Sequence, residues 1–237
     1  MPSWSIRFPR LYDLYARSDL CHPKNYFSEP NIKQVLEGAD SMLMEIEDHL
    51  QQLDENAWNE FRAKAVRYVT VTNQWDWNEQ LFDRLNETKG YVYLKDQGYS
   101  DIHFIPEVSD KRTPDLCGTR YDGHALVEVK TVHESDDVNY YRTRSGKYQG
   151  QQKEAREVMS NLNQALEKKL RACIQTALEQ LQYNHEAMNR RIVFFVIYLD
   201  SSSPRQSEKD QLDKFLRANC PSRIEIEHRI KNNSSPF

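Results

Sequence analysis

The apolar positions in the first part of the chain recur with the period of a helix. Between residues 31 and 53 they are spaced by three and four, which places them on one face of an α-helix. The apolar positions of residues 58–68 follow the same period, and so do those of a stretch that begins near Asp76. Gly98 is a suitable stop for this third helix, because glycine readily adopts the left-handed conformation that ends helices. The pattern therefore predicts three helices before the chain reaches Gly98.

The segment that precedes these helices is rich in proline. Pro2, Pro9, Pro23 and Pro30 interrupt it at irregular intervals. Proline removes a backbone donor and restricts the residue before it, so it commonly marks turns and loops. We therefore expect residues 1–30 to be irregular.

After the third helix the period changes to that of β-strands. Residues 101–105 form a short run that predicts a first strand, and residues 113–120 predict a second. The dipeptide Asp122-Gly123 is a strong signal of a tight hairpin turn. Residues 125–132, with the sequence ALVEVKTV, are mostly β-branched or apolar and predict the clearest strand in the chain.

The second half of the chain predicts a loop followed by alternating helices and strands. The polar stretch 133–152 has no apolar period and is typical of a loop. The run RIVFFVIYL at residues 191–199 is apolar almost throughout, as expected for a central strand covered on both faces. A long helix over 153–182, a short helix over 207–218 and an edge strand over 224–230 complete the prediction.

The order of these elements predicts an α/β fold with an N-terminal helical extension in residues 1–72. The length of 237 residues allows one full core with such an addition. No apolar run approaches the roughly 20 residues that span a bilayer, and the N-terminus lacks the apolar stretch of a signal peptide. We therefore expect a cytoplasmic protein without a membrane partner. The four cysteines are far apart and have no metal-binding spacing.

The charge of the chain restricts its function less than its local pattern does. The formal net charge is −4, from 32 basic and 36 acidic residues. A protein that coats nucleic acid by charge alone should be basic, so this total argues mildly against that class. It does not exclude an enzyme that acts on nucleic acid, because acidic metal ligands belong to such a site. No phosphate-binding loop of the GxxxxGK[ST] type is present, so the chain does not encode an ATP-driven motor.

Three charged residues near the predicted hairpin have the chemistry that phosphodiester cleavage requires. Glu128 and Lys130 are two apart in the strand, so both project from one face while Val129 points the other way. The turn at Asp122-Gly123 pairs this strand with the one that begins near Asp115, which brings the two carboxylates together. Carboxylates can hold a divalent cation that stabilises phosphate charge, and a nearby ammonium group can orient water. The alternative is that Glu128 and Lys130 are an ordinary exposed pair, but Leu126 and Val132 share their face and make it apolar.

This arrangement resembles the PD-(D/E)XK nuclease superfamily. Pro114-Asp115, twelve further residues and Glu128-Val129-Lys130 match its signature at every lettered position, and the resemblance covers residues 76–199. It implies a restriction-endonuclease-like mixed β-sheet core flanked by helices, which we place in residues 73–237. It also implies Mg²⁺, replaceable by Mn²⁺, bound by Asp115, Glu128 and the carbonyl of Val129, with Lys130 assisting the water.

Members of this superfamily often have a glutamate on the helix before the first strand. Two residues compete for this position. Glu87 lies at about the usual distance before the strand, whereas Glu79 lies two turns earlier on about the same face. Glu79 can alternatively complete a helix-start box with Asp76. We favour Glu87 as the fourth catalytic residue.

A second set of residues predicts contact with nucleic acid. Arg142, Arg144 and Lys147 follow the EVK strand and are interleaved with tyrosines. Basic side chains would neutralise phosphates, and tyrosines would stack on unpaired bases. The alternative is a solvated charged loop.

The sequence thus predicts a Mg²⁺-dependent deoxyribonuclease, with DNA as the first candidate substrate and RNA as the second. The competing hypothesis is a catalytically inactive module of the same fold that binds nucleic acid or a protein partner. The helices within residues 31–72 are a candidate dimerisation element, because a duplex cut on both strands suits a two-fold pair of sites. A homodimer is therefore a third hypothesis.

Overall fold

The computed structural model describes residues 4–18, 41–69, 77–107, 112–133, 164–182, 188–199 and 206–232. Its helices are α1 (Trp4–Arg7), α2 (Pro9–Arg17), α3 (Ser41–Gln51), α4 (Glu55–Ala65), followed by a 3₁₀ turn (Val66–Tyr68), α5 (Trp77–Asp96), α6 (Gln164–Leu181) and α7 (Gln206–Asn219). Its strands are β1 (Ser100–Phe104), β2 (Leu116–Arg120), β3 (Gly123–His133), β4 (Met188–Leu199) and β5 (Glu225–Asn232).

The strands form one mixed five-stranded sheet in the order β1-β2-β3-β4-β5. β1, β2 and β3 are antiparallel neighbours, whereas β3, β4 and β5 run parallel. A parallel pair needs a crossover connection, and α6 lies in the connection from β3 to β4. The predicted α/β class, with a mixed sheet flanked by helices, is confirmed.

Each face of the sheet carries its own hydrophobic core, and β4 contributes to both. Alternate residues of β4, beginning at Ile192, belong to the core that also contains residues of α2 to α5. The residues between them, beginning at Val193, belong to the core formed with α6 and α7. The continuous apolar run of residues 191–199 therefore arises because both faces of this strand are buried, as predicted.

Helix α5 lies very close to β2 and β3. A Cβ atom at Gly90 would come within 2.8 Å of Val129 Cγ2 and 2.9 Å of Leu116 Cδ1. A larger residue at this position would force the side chains of Val129 and Leu116 to shift, because real Cβ contacts are essentially never so short. Glu87 lies one turn before Gly90, so the close packing holds this glutamate beside the strands that bear Asp115 and Glu128. Helix α5 ends as predicted, with Gly98 in the left-handed region at φ 78°.

The expectation of an irregular N-terminus was wrong for residues 4–17, which form α1 and α2. Pro9 occupies the first turn of α2, where its missing N–H group is not needed and its fixed φ suits a helix. Leu11 and Leu14 are fully buried against the core. Proline therefore starts this helix rather than breaking it.

The other predicted elements agree with the structure at most boundaries. The predicted strands 101–105, 113–120 and 125–132 correspond to β1, β2 and β3. The turn consists of Tyr121 and Asp122, one residue earlier than the predicted pair Asp122-Gly123, because Gly123 already pairs with Arg120 as the first residue of β3. The predicted loop lies outside the described residues except for His133, which ends β3. The long helix predicted for 153–182 is described from Gln164 onward. Within the described part of the chain, every helix is too short or too polar to span a bilayer.

The helices that precede residue 72 share a core with the sheet. Trp58 and Phe61 of α4 belong to the same buried cluster as Leu85 of α5 and Phe104 of β1. Phe61 contacts Phe104 directly, with ring centroids 5.2 Å apart. The division of the chain at residue 72 stays a prediction, and α4 is positioned to contribute side chains to a site at the sheet.

Candidate active site

Asp115 lies immediately before β2, where the pairing of β2 with β3 ends. Its backbone N–H group donates to the carbonyl of Val127 at 3.1 Å and extends the ladder by one step. At the next step along β3, the side chain of Asp115 takes the place of a backbone partner. Its Oδ2 accepts a hydrogen bond from the N–H group of Val129 at 2.9 Å. The hairpin therefore fixes this carboxylate against the backbone of the EVK segment.

Glu128 and Lys130 project from the face of β3 that packs on α6. Leu126 and Val132 belong to the core formed with α6 and α7, whereas Val129 belongs to the core on the other face. The alternation predicted from the sequence is therefore present. The two charged residues interrupt an apolar face beside a cleft.

This cleft has a volume of about 340 Å³. Four basic and five acidic residues are among its lining side chains: Lys64, Arg84, Arg112 and Lys130, together with Asp83, Glu87, Glu107, Asp115 and Glu128. Counted by residue type, the acidic side chains exceed the basic ones by one. A cation would be attracted to this cleft, and the basic side chains would face an anionic substrate.

The carboxylate of Glu128 is almost completely buried and only half satisfied. Its side chain is 2% exposed, and Oε1 forms an ion pair of 2.6 Å with Lys130. Oε2 has no hydrogen-bond partner among the described residues. Burial, and then the negative charge of Asp115, raise the pKa of Glu128 well above its usual value. Such an oxygen is costly to leave alone and is available to a ligand.

Lys130 is held by two partners and remains accessible from the cleft. Besides Glu128, its Nζ donates to Oε1 of Gln180 on α6 at 2.7 Å. Gln180 is itself fixed, because its Nε2 donates to the carbonyl of Thr113 at 3.1 Å. The lysine side chain is 18% exposed. The ammonium group is therefore oriented rather than free to rotate.

Glu87 lies on the other side of Asp115 from Glu128. Its side chain is 3% exposed, and both of its carboxylate oxygens are paired. Oε2 accepts from Lys64 of α4 at 2.8 Å, and Oε1 forms an ion pair with Arg84. Burial and the charge of Asp115 nevertheless raise the pKa of Glu87 to about 8, against the opposing effect of the two cations. The structure therefore brings Glu87 to the lining of the cleft.

Lys64 connects the two carboxylates. Its Nζ lies 2.8 Å from Oε2 of Glu87 and 3.2 Å from Oδ1 of Asp115. Burial alone would lower the pKa of Lys64, but the charges of Asp115 and Glu87 raise it above its usual value. The ammonium group is therefore charged and acts as an internal cation of the cleft.

Sequence reasoning did not find Lys64 or Arg84 and could not place Gln180. A signal existed for two of them. Lys64 follows Phe61 by three residues and Gln180 follows Ala177 by three, so both polar residues lie on the buried stripe of their helix. A polar residue at such a position needs a partner in the interior.

The remaining site predictions fall on parts of the chain for which no side chains are described. Arg142, Arg144 and Lys147 lie outside the described residues. Glu79 belongs to α5, but its side chain lies outside the described part. The structure therefore gives the surroundings of Glu87 but not those of Glu79, and the choice between them stays a prediction.

The donor groups of the cleft suit one small, hard divalent cation. Mg²⁺ needs only one or two carboxylates, because it keeps several waters. Asp115 and the unpaired Oε2 of Glu128 supply two such groups. The carbonyl of Val129 points to the same side of β3 as that of Val127, since residues two apart in a strand share their direction. Among the described residues, no three histidine, cysteine or carboxylate side chains are grouped to bind a metal by themselves, which agrees with the pairing of Glu87 to cations.

Comparisons with known proteins give little further guidance. No known family model matches the chain, and no curated protein matches it in sequence. A solved structure of Pyrococcus furiosus SfsA in complex with Ca²⁺ is similar with 12% identity and a TM-score of 0.24. The similarity covers 65% of this chain and 56% of that one, so this chain spans little more than half the length of SfsA.

Proposed function

We propose that the chain is a Mg²⁺-dependent nuclease that hydrolyses phosphodiester bonds, with DNA as its first candidate substrate. The observation on which this proposal depends is the meeting of Asp115, Glu128 and Lys130 at one cleft. One carboxylate is tied to the backbone of the EVK segment, and the other keeps an unpaired oxygen at 2% exposure. The resemblance to the PD-(D/E)XK signature supports the same activity from the sequence.

The side chains have separate tasks in this proposal. Asp115 and Glu128 hold the cation, together with the carbonyl of Val129. A bound Mg²⁺ would offset the charge that builds up on the phosphate and lower the pKa of water. Lys130 orients the attacking water, since Gln180 and Glu128 fix its ammonium group. Glu87 is a positioning residue that keeps Lys64 and Arg84 in place.

Substrate binding is assigned to the basic residues around the cleft. Arg112 lines the cleft at 63% exposure and forms an ion pair with Glu179, which is 41% exposed. A phosphate group would replace Glu179 as the partner of this exposed guanidinium. Arg142, Arg144 and Lys147 are proposed to extend this contact along the nucleic acid.

The proposal is tested by incubating the purified chain with plasmid, linear duplex, single-stranded DNA and RNA. We expect cleavage of DNA with Mg²⁺ or Mn²⁺ and none in the presence of a chelator. Asp115→Asn and Lys130→Met are expected to reduce cleavage by roughly 100-fold or more. Asp96→Asn and Lys168→Met change exposed residues of the same types and serve as matched controls. Equal cleavage by parent, D115N and K130M would contradict the assigned roles.

One observation favours a second candidate, a binding module without catalysis. The carboxylates of Glu87 and Asp115 already pair with Lys64 and Arg84, so part of the acidic charge is balanced without a metal. Binding of nucleic acid that does not change on addition of Mg²⁺, with no cleavage of any of the four substrates, would support this alternative.

A further inference from the structure

The three buried carboxylates of the cleft differ in how their oxygens are used. Glu87 has both oxygens paired with cationic side chains. Asp115 has one oxygen on the N–H group of Val129 and the other 3.2 Å from Lys64. Glu128 alone keeps an oxygen without a hydrogen-bond partner among the described residues. A cation can therefore bind beside Glu128 without displacing a partner, whereas beside Glu87 it would have to displace Lys64 or Arg84.

Lys64 occupies the position between Asp115 and Glu87. Its Nζ lies at hydrogen-bond distance from both carboxylates, and its side chain is 6% exposed. Two acidic groups that face one another in this way also form the geometry in which a metal ion bridges carboxylates. Here α4 supplies the bridging charge, so a metal would have to displace a buried, paired lysine.

We propose that Lys64 is a built-in replacement for a second metal ion, so that the cleft binds a single divalent cation between Asp115 and Glu128. This inference rests on the proposed metal-dependent function and specifies its stoichiometry. Glu87 is then the anchor of Lys64 and not a metal ligand. Helix α4, from the N-terminal part of the chain, completes the electrostatics of the site.

The charge of the lining agrees with one cation. With all nine groups ionised, which a bound cation favours, five acidic and four basic side chains leave one negative charge in excess. One divalent cation changes this to one positive charge in excess, which favours an anionic phosphodiester. A second divalent ion would add two further positive charges next to Lys64 and Arg84, which are already 2.8 Å or less from Glu87.

The inference is tested by counting Mn²⁺ ions bound per chain, with calorimetric titration and with the electron paramagnetic resonance signal of free Mn²⁺. We expect the parent to bind one ion and Lys64→Met to bind two, because this variant frees oxygens of Glu87 and Asp115. The double variant Lys64→Met/Glu87→Gln should return to one ion. Lys168→Met, at an exposed position of α6, is the matched control and should bind as the parent does.

Two further variants keep the inference testable if Lys64→Met does not fold. Glu87→Gln should still bind one Mn²⁺ with an affinity close to that of the parent. Glu128→Gln should weaken the binding of Mn²⁺ by roughly 100-fold or more, since it removes a ligand. Two ions bound by the parent, one ion bound by folded Lys64→Met, or equal losses in Glu87→Gln and Glu128→Gln would each overturn the inference.

These outcomes separate the inference from the proposed function. A parent that binds two ions and cuts DNA contradicts the role of Lys64 and leaves the nuclease assignment in place. A parent that binds one ion and cuts no nucleic acid contradicts the nuclease and leaves the role of Lys64. A parent that binds no Mn²⁺ overturns both.

Discussion

The buried glutamates on the two sides of the cleft differ in how many of their oxygens are paired. On the α5 side, Glu87 pairs both oxygens, with Lys64 and Arg84. On the α6 side, Glu128 pairs one oxygen with Lys130 and leaves the other without a partner among the described residues. The two side chains are 3% and 2% exposed, so burial does not explain the difference.

The comparison separates stability from function within one cleft. A buried, fully paired carboxylate supports the fold, and breaking its pairs leaves charges without partners. A buried carboxylate with an unpaired oxygen costs free energy of folding, unless a ligand supplies the missing partner. The α5 side therefore has the pattern of a structural ion-pair cluster, whereas the α6 side has the pattern of a binding site. Glu87→Gln and Glu128→Gln should therefore change the free energy of unfolding in opposite directions.

Glu87→Gln is expected to have the largest effect on stability. With a pKa of about 8, Glu87 is ionised at about pH 9. At that pH glutamine leaves the buried Lys64 and the partly exposed Arg84 without this partner, so the free energy of unfolding should fall by about 3 kcal/mol. Urea denaturation in the presence of a chelator measures this change. Glu55→Gln removes an exposed ion pair, 79% exposed at the carboxylate, and is the control with little expected effect. A stability equal to that of the parent would show that the α5 cluster contributes nothing to the fold.

Glu128→Gln should act in the opposite direction. The variant removes a buried carboxylate whose ionised form is disfavoured by burial and by Asp115. In the absence of metal we expect the free energy of unfolding to rise by about 2 kcal/mol, while cleavage is lost. The same denaturation series, with Glu55→Gln as its control, measures this change. If Glu128→Gln unfolds at a lower urea concentration than the parent, the unpaired oxygen of Glu128 does not destabilise the folded state.

Gln180→Ala tests whether the α6 side depends on the orientation of its lysine. Without the 2.7 Å bond from Lys130 to Gln180, the ammonium group can move between several positions. We expect kcat to fall roughly tenfold with little change in KM, because Gln180 supports Lys130 rather than the substrate. Gln175→Ala changes an exposed glutamine of the same helix and is the control. A change in KM alone would assign Gln180 to substrate binding.

Lys89 provides the smallest test, as a buried lysine with weaker pairing than Lys64. Both side chains are 6% exposed, but the ion pair of Lys89 is longer, with its Nζ 3.9 Å from Oε1 of Glu45. Burial lowers the pKa of Lys89 to about 8, whereas an unfolded lysine titrates near ~10.4. Between these values the unfolded chain binds more protons, so stability should rise with pH.

The variant Lys89→Met isolates this effect from other titrating groups. Below pH ~8 the charged lysine disfavours folding, so the variant should be more stable than the parent. The difference should shrink as the pH rises from ~8 to ~10.4 and disappear above about pH 11, where both states of the parent have lost the proton. Thermal unfolding of the two proteins over this range measures the difference. A constant difference across the range would contradict the lowered pKa.

Much of the sheet was predictable because its signals are local. The alternation in ALVEVKTV placed Glu128 and Lys130 on one face, and the Asp-Gly signal predicted, to within one residue, the turn that pairs that strand with the one after Asp115. The two-sided burial of residues 191–199 was also predictable, because only a central strand tolerates so continuous an apolar run. The helices α1 and α2 were missed, since proline favours both turns and helix starts and the pattern does not distinguish them.

The difference between the two glutamates was not predictable from the pattern of residues. It depends on Lys64, which reaches Asp115 across 51 positions of sequence, and on Gln180, which reaches Lys130 across 50. The helical period indicates that each of these polar side chains needs an interior partner, but it does not indicate which residue that partner is. Both follow from the way α4 and α6 pack on opposite faces of the sheet.

The sequence by itself determined which charged groups meet at the hairpin, because strand alternation and turn chemistry act over a few neighbouring residues. Only the tertiary structure decided which of those groups are paired. Pairing in the interior depends on side chains delivered by helices that are distant along the chain, and on the close approach of α5 that Gly90 permits. The result is one glutamate held between two cations and another with an oxygen free for a ligand.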